Sequence, residues 1–400
     1  MDVLPALEVL AGTASPRGHE LALATRLAAW AGARWPELGW TVDPVGADGA
    51  NLVAVSASGD APGLLLYSHL DTSLSGDPVA DSPVTGRSVP VAPFSVAGEV
   101  VSGFGLGVAK GPAAAAIAGF VAAASALRGS PHRLTLLLAS AGTHWSPFDR
   151  VVPSGVSQFL ARHPKPAAAI VAKGGPPGIL IAEPGAMFVR VRLDAAFTPV
   201  LARDAAEPPG GLITHLRTVL GLIEDWRAEH LAARPPDAVA AEVGIGSVRG
   251  GLPGKPDLLP GMVELQLYVV TVPGDDPAAV AADLSARLGA HGDALLVRVD
   301  AALVHAAAAT DPGAPIVGHA NAAWTAAFGA PPPPVTGWKG STDGVVLRAH
   351  GIDTVRTGPR ARPDPGDPRR DLIDVAALVR FATLYADIAA RYARSGEVAS

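Results

Sequence analysis

The run Leu64-Leu65-Leu66-Tyr67-Ser68 ends in His69-Leu70-Asp71-Thr72. An apolar stretch of strand character that stops at His-x-Asp can present an imidazole to a metal or to a reacting group. The acid two residues on then fixes the tautomer and orientation of the ring. A second apolar stretch, residues 167–172, ends at Lys173-Gly174-Gly175. A lysine in a dry cleft can pair with Asp71 or Asp367, or hold a substrate carboxylate. With its ammonium disfavoured by burial it can also act as base or nucleophile. The chain has five lysines. Lys110 lies in a glycine-rich stretch, residues 103–111, where its plainest role is to anchor the start of the helix that follows. Lys339 borders Gly340-Ser341-Thr342-Asp343-Gly344, whose hydroxyls and N–H groups suit a carboxylate or an amide. There is no cysteine, which removes disulfides, thiolate nucleophiles and cysteine metal sites.

These residues must be positioned by regular elements. Residues 4–38 carry helical periodicity broken at 12–16, while 51–56 and 63–67 read as strands. An Ala-rich helix over 112–127 follows the glycine-rich stretch. Then come a buried strand at 133–140, a helix at 155–163 and the strand at 167–172. Such alternation predicts an α/β unit with a mixed, mostly parallel sheet. The pattern changes at residue 187. Half-exposed strands at 187–193, 242–248, 262–272 and 294–299, with helices at 211–227 and 276–288, give the order β-α-β-β-α-β. After residue 301 the α/β pattern resumes with a helix at 313–328, a strand at 354–356 and a helix at 375–393. The expected organisation is one α/β domain, 1–186 and 302–400, interrupted by an α+β unit, 187–301.

Length and composition agree with two units. Four hundred residues exceed what one core ordinarily supports, and 49% hydrophobic against 17% charged residues is ample for burial. A net charge of -6 leaves no basic footprint for nucleic acid. Met1-Asp2-Val3-Leu4 has an early acid and no basic flank, which does not read as a signal peptide. The Ala-rich segments are too short and too glycine-punctuated to span a membrane. The expectation is a soluble, cytoplasmic protein that partners neither nucleic acid nor membrane.

Five blocks in order resemble the di-zinc peptidase family that includes succinyl-diaminopimelate desuccinylase, aminoacylase, acetylornithine deacetylase and the glutamate carboxypeptidases. Ser68-His69-Leu70-Asp71-Thr72 is similar to the family's Gly-His-x-Asp-x block. Residues 103–111 are similar to its Gly-Arg-Gly-x-x-Asp-x-Lys-Gly loop, and 133–143 to its strand ending in Asp-Glu-Glu. Gly250-Gly251 through Asp257-Leu258-Leu259-Pro260 resembles an element of its lid. Gly340–Gly344 with Gly351-Ile352 and Gly358-Pro359 resembles its C-terminal substrate loop. The resemblance implies a catalytic domain split by a lid, and a homodimer formed through that lid.

It also implies where two zincs, a bridging Asp and a general base would stand. His69 and Asp71 match the first His and its supporting acid. The bridging Asp falls on Val108, the Glu-Glu pair on Gly142 and Thr143, the next carboxylate on Lys173, and the last His on Asp367, four residues before the matching acid Asp371. Valine and glycine offer no donor, threonine is a poor ligand, and a lysine ammonium repels a cation. A one-residue shift would bring His144 to a ligand position, although a loop histidine beside the cleft is the simpler reading. The lid His that assists the reacting carbonyl in the family would lie near Phe197.

The expectation is therefore a diverged member without a working di-zinc centre and without a cofactor. It binds or transforms a small amide- or carboxylate-bearing molecule. Lys173 and Asp71 are its candidate catalytic residues. His69, Lys110, His144, Ser341, Thr342, Asp343, Gly344 and Asp367 are its candidate substrate contacts. Arg356 and Arg360 are expected at the solvated surface. Zinc-dependent amide hydrolysis through a rebuilt site, with His69 and Asp367 as ligands if one zinc binds, and a non-catalytic partner subunit are the alternatives.

Overall fold

The computed structural model describes residues 2–56, 61–289 and 296–395. Its central sheet has six strands in the order Gly39–Val45, Gly49–Val55, His132–Ala139, Ala61–His69, Ala168–Ala172, Asp353–Thr357. The last four run parallel, and the first two form an antiparallel hairpin at one edge. Gly39–Val45 is not anticipated by periodicity. It carries Pro44 and polar residues, both tolerated because the strand is an edge.

The helix Gly111–Ala126 lies in the middle of the core and is buried on nearly every side. Small side chains let it approach the C-terminal helix Val375–Ser395 closely. A Cβ at Gly119 would stand 2.8 Å from the Ala382 carbonyl oxygen. The 21 residues Leu106–Ala126 are long and apolar enough to cross a membrane by length and composition, but they are mostly buried in the core, and Val108 and Ala109 are not helical.

The chain leaves this layer at Ala182–Glu183 and returns at Ala308–Ala309, two short strands that pair with each other. Between them lies an antiparallel sheet, in the order Glu242–Gly250, Met262–Thr271, Gly185–Asp194, Leu296–His305. Helices Leu212–Ala232 and Pro277–Gly289 supply its separate apolar core. Residues 294 and 295 of the expected strand lie outside the described residues. A small sheet that periodicity does not reveal joins Val100–Phe104 to Arg370–Asp374 and ties the glycine-rich stretch to the C-terminal part of the chain.

Candidate active-site cleft

The parallel strands end on one edge of the sheet, so the residues following them converge there: His69, Gly142 to His144, Lys173 and Gly358. In open α/β sheets ligands bind outside these carboxyl ends. The turns are packed tightly enough to dictate glycine. A Cβ at Gly358 would lie 2.6 Å from the backbone of Lys173, and one at Gly142 would lie 2.5 Å from Cβ of His69. The His69 ring thus fills the space that a longer side chain at position 142 would need.

Asp71 is fully buried and accepts the N–H groups of Gly142 and Thr143, each at 2.8 Å, and the Thr143 hydroxyl. Burial alone would raise its carboxyl, but His69 and the Thr143 donors outweigh burial and hold it well below the usual carboxylate range. With Asp71 ionised, the 2.9 Å contact to His69 Nδ1 assigns the proton to that nitrogen. Burial, and then Lys173, favour the neutral ring. Its Nε2 is therefore a bare lone pair, buried and without a partner among the described residues.

Lys173 is partly buried, and its Nζ has no hydrogen bond or ion pair within 4 Å among the described residues. Burial first, and then Arg356, lower it to about 8, while Asp71, Asp343 and Glu183 act in the opposite sense. Asp343 accepts a short hydrogen bond from the Tyr67 hydroxyl and lies 3.8 Å from His305 Nε2. Burial lifts its carboxyl to about 7 against the Tyr67 bond and the charge of Lys173.

Arg17 completes the charged ring. Its Nε donates to the Thr143 carbonyl at 2.7 Å, its amino nitrogens have no partner among the described residues, and it faces Asp71, Glu20 and Asp343. The inserted sheet forms the roof. Tyr268 Oη meets His144 Nδ1 at 2.9 Å, and the His144 and His305 rings lie 4.9 Å apart. Burial lowers both histidines, His305 to about 4. His144 Nε2 is buried and has no partner among the described residues.

Below the cleft, fully buried Glu183 accepts from Arg348 at 2.7 Å, Arg356 at 3.0 Å and the Thr342 hydroxyl at 2.5 Å. Arg356 also donates to the Gly174 and Gly340 carbonyls and stacks 4.7 Å from the Trp338 ring centre. Beside Lys173, Gly174 and Gly175 open onto a cavity of about 450 Å³ lined by Val108, Trp338, Arg360 and Asp371, among others.

The structure thus gathers His69, Asp71, His144, Lys173, Ser341 and Asp343 around the cleft, and Ser341 keeps a buried hydroxyl with no partner among the described residues. It corrects several other expectations. Thr342 and Gly344 do not offer their donors outward, because the Thr342 hydroxyl is committed to Glu183 and accepts the Gly344 N–H at 3.1 Å. Lys110 is 2% exposed and spends its ammonium on the Thr13 carbonyl at 3.0 Å. Asp367 lies outside the ring, held by Arg369 at 2.6 Å and Arg87 at 3.5 Å, because its loop turns it toward those two guanidinium groups. Asp371 accepts the Gly107 N–H at 2.8 Å and braces the glycine-rich stretch. Phe197 is exposed on the inserted unit, and Lys339 pairs with Glu242 at 2.5 Å. Arg356 is buried in a core strand, and only Arg360 is exposed. Arg17, Tyr67, Glu183, Tyr268 and His305 carry no motif that would mark them.

The donor set at the cleft does not fit a pair of zincs. Val108 and Gly142 have no donor atom, the Thr143 hydroxyl is committed to Asp71, and Lys173 is a cation. Among the described residues no group of three or more His, Asp or Glu is disposed to hold a metal ion.

Asp343 gives a pH signature. Its folded value of about 7 lies above its ordinary 3.8, so its contribution to stability is complete below 3.8 and is lost as pH rises through 7. Asp343→Asn keeps an acceptor for Tyr67 and removes the charge. Its melting temperature should lose the decline that this carboxyl causes in the wild type across that window. Parallel melting curves in both proteins would disprove the assignment.

No protein-family model and no curated protein matches this sequence. Solved structures do match in fold. Human carnosine dipeptidase 1 is 14% identical, covers 98% of this chain and 96% of its own, and superposes with a TM-score of 0.70. An M20-family metallo-carboxypeptidase from Sulfolobus solfataricus is 16% identical over 98% of this chain and all of its own, with a TM-score of 0.66. An amidase of the hydantoinase/carbamoylase family from Burkholderia phymatum is 16% identical over 98% and 96%, with a TM-score of 0.60. The chain therefore has the fold of the M20 metallopeptidases and related amidases, the fold that the five sequence blocks imply.

Proposed function

We propose that the cleft binds a small carboxylate- or amide-bearing molecule, of the acyl-amino-acid or peptide type, without a di-metal centre. The observation that carries this reading is the ammonium of Lys173, unpaired among the described residues and set among Asp71, Asp343 and Arg17 where the resemblance expects a carboxylate ligand. A fixed cation there attracts an anionic ligand and opposes a divalent ion, and the effect is strong in a site of low dielectric. Around it, His69 Nε2 can accept a hydrogen bond and the Ser341 hydroxyl can give one.

The test is elemental analysis of protein purified without chelators, followed by calorimetric titration with N-acetyl-L-alanine and dipeptides before and after chelation. Substoichiometric zinc with binding unchanged by chelation is expected. Two tightly held zinc ions per chain, with binding or hydrolysis abolished by chelator, would disprove the proposal.

A second reading, a zinc-dependent amide hydrolase with a rebuilt site, draws on the unpartnered Nε2 atoms of His69 and His144. The same analysis distinguishes it, since it requires one zinc lost on His69→Ala. Pairing of two copies through the inserted unit is also part of the proposal. Its edge strand Glu242–Gly250 is exposed and carries Ile245 and Val248, with Leu252 following. Light scattering of the purified protein should give twice the chain mass.

A further inference from the structure

We propose that Lys173 is an amine nucleophile that captures the carbonyl of a small 2-oxo acid as an imine, with Arg17 seating the carboxylate. This rests on the reading of the cleft as an anion site, and adds a covalent step to it. An amine can attack only if its lone pair is free and its surroundings admit the carbonyl. Lys173 Nζ makes no hydrogen bond or ion pair among the described residues, and the chain beside it opens at Gly174 and Gly175 onto the cavity of about 450 Å³. Arg17, whose amino nitrogens are likewise uncommitted, acts on the same two carboxylates, Asp71 and Asp343. A compact ligand carrying a carboxylate next to a carbonyl matches that pair of cations.

The step balances without any co-reactant. Asp343, whose carboxyl acts on Lys173 from beyond 4 Å, takes a proton from its ammonium through one intervening water. The amine adds to the carbonyl carbon and, after proton transfer from nitrogen to oxygen, leaves a carbinolamine. Asp343 then returns its proton to the departing hydroxyl. The sum is ammonium plus carbonyl giving iminium plus one water, and Asp343 ends ionised as it began. Of the two lysines that burial lowers, Lys173 is set apart by its uncommitted ammonium and not by titration. Lys110 is lowered by burial to the same value of about 8, but its ammonium is committed to Thr13 and lies 2% exposed.

The experiment is incubation of the whole protein with pyruvate and sodium cyanoborohydride, followed by peptide mass mapping, with pyruvate binding measured separately by calorimetry. One reduced adduct on Lys173, at least tenfold enriched over Lys110, Lys165, Lys255 and Lys339, is expected. In Lys173→Arg, which keeps the cation, no adduct should form at that position while pyruvate binding persists. Pyruvate binding to wild type without an adduct on Lys173, or adducts spread evenly over the lysines, would overturn this inference and leave the anion site standing. Absence of both binding and adduct would overturn both.

Discussion

Glu183→Ala is expected to lower folding stability by about 3–5 kcal/mol, the range for breaking a buried ion pair by removing one partner. Glu183 is fully buried, and the two guanidinium groups it neutralises, Arg348 and Arg356, are themselves 8% and 2% exposed. Deleting the carboxylate leaves two buried cations with carbonyl and hydroxyl acceptors only. The position sharpens the effect. Glu183 lies where the chain crosses from the α/β layer into the inserted sheet, on the short strand that pairs with the return crossing at Ala308–Ala309. Arg356 also fixes the Gly174 and Gly340 carbonyls, so the variant should loosen the loops on both sides of the cleft. Burial alone would raise the Glu183 carboxyl, but Arg348 and then Arg356 outweigh it and bring it below 4.5. A lowered carboxyl contributes stability that is present above its ordinary value and lost as pH falls through the folded one. The gap between wild type and variant should therefore be full at pH 7 and narrow in acid. Denaturant melts at pH 7 and pH 3.5 test this, and a gap under about 1 kcal/mol at pH 7 would show that the two arginines find compensation elsewhere.

The fold was legible because the strands that build the cleft are long apolar runs with a change of character at their ends. Leu64 to Ser68 and residues 167–172 could be placed from pattern alone, and so His69 and Lys173 could be placed at the sheet edge. What escaped the pattern has physical reasons. Tyr67 belongs to the same run as His69 and reads as one more buried strand residue; only the chain's return at Asp343 shows that its hydroxyl has work there. Arg17 sits in the break between the first two helices, and its contact with Thr143 spans 126 residues. Arg356 flanks a Gly-Pro turn, which suggests solvent, but it occupies a buried parallel strand and is tolerated because Glu183 neutralises it. Counting back from Asp371 along a loop puts Asp367 at the site, and loop length is where such counting is weakest. For Tyr67, Arg17 and Arg356 the deciding contact is distant in sequence, with nothing local to mark it.

Lys173→Met should weaken binding of N-acetyl-L-alanine by at least about tenfold, since a hydrogen bond to a charged group is worth roughly 1.5–3 kcal/mol and tenfold is about 1.4. The same change should raise folding stability at neutral pH. Lys173 has a folded value of about 8 against an ordinary 10.5. A lowered lysine contributes stability only above its ordinary value, and that contribution is lost as pH falls through the folded one. At pH 7 the wild type has lost it entirely, whereas methionine leaves no ammonium to desolvate. Part of this gain is offset because Asp343 loses a cation that favours its ionised form, so its carboxyl should titrate higher in the variant. Lys173→Arg separates charge from shape by keeping the first and enlarging the second, and it should retain most of the affinity. Calorimetric titrations at pH 7, with denaturant melts at pH 7 and pH 10, measure both effects. A protein that binds as tightly with methionine as with lysine holds its ligand by some other group. A residue that costs stability at neutral pH and gives nothing to the ligand would have no reason to stand unpaired among Asp71, Asp343 and Arg17, and the case for an anion site built on lost zinc ligands would fall with it.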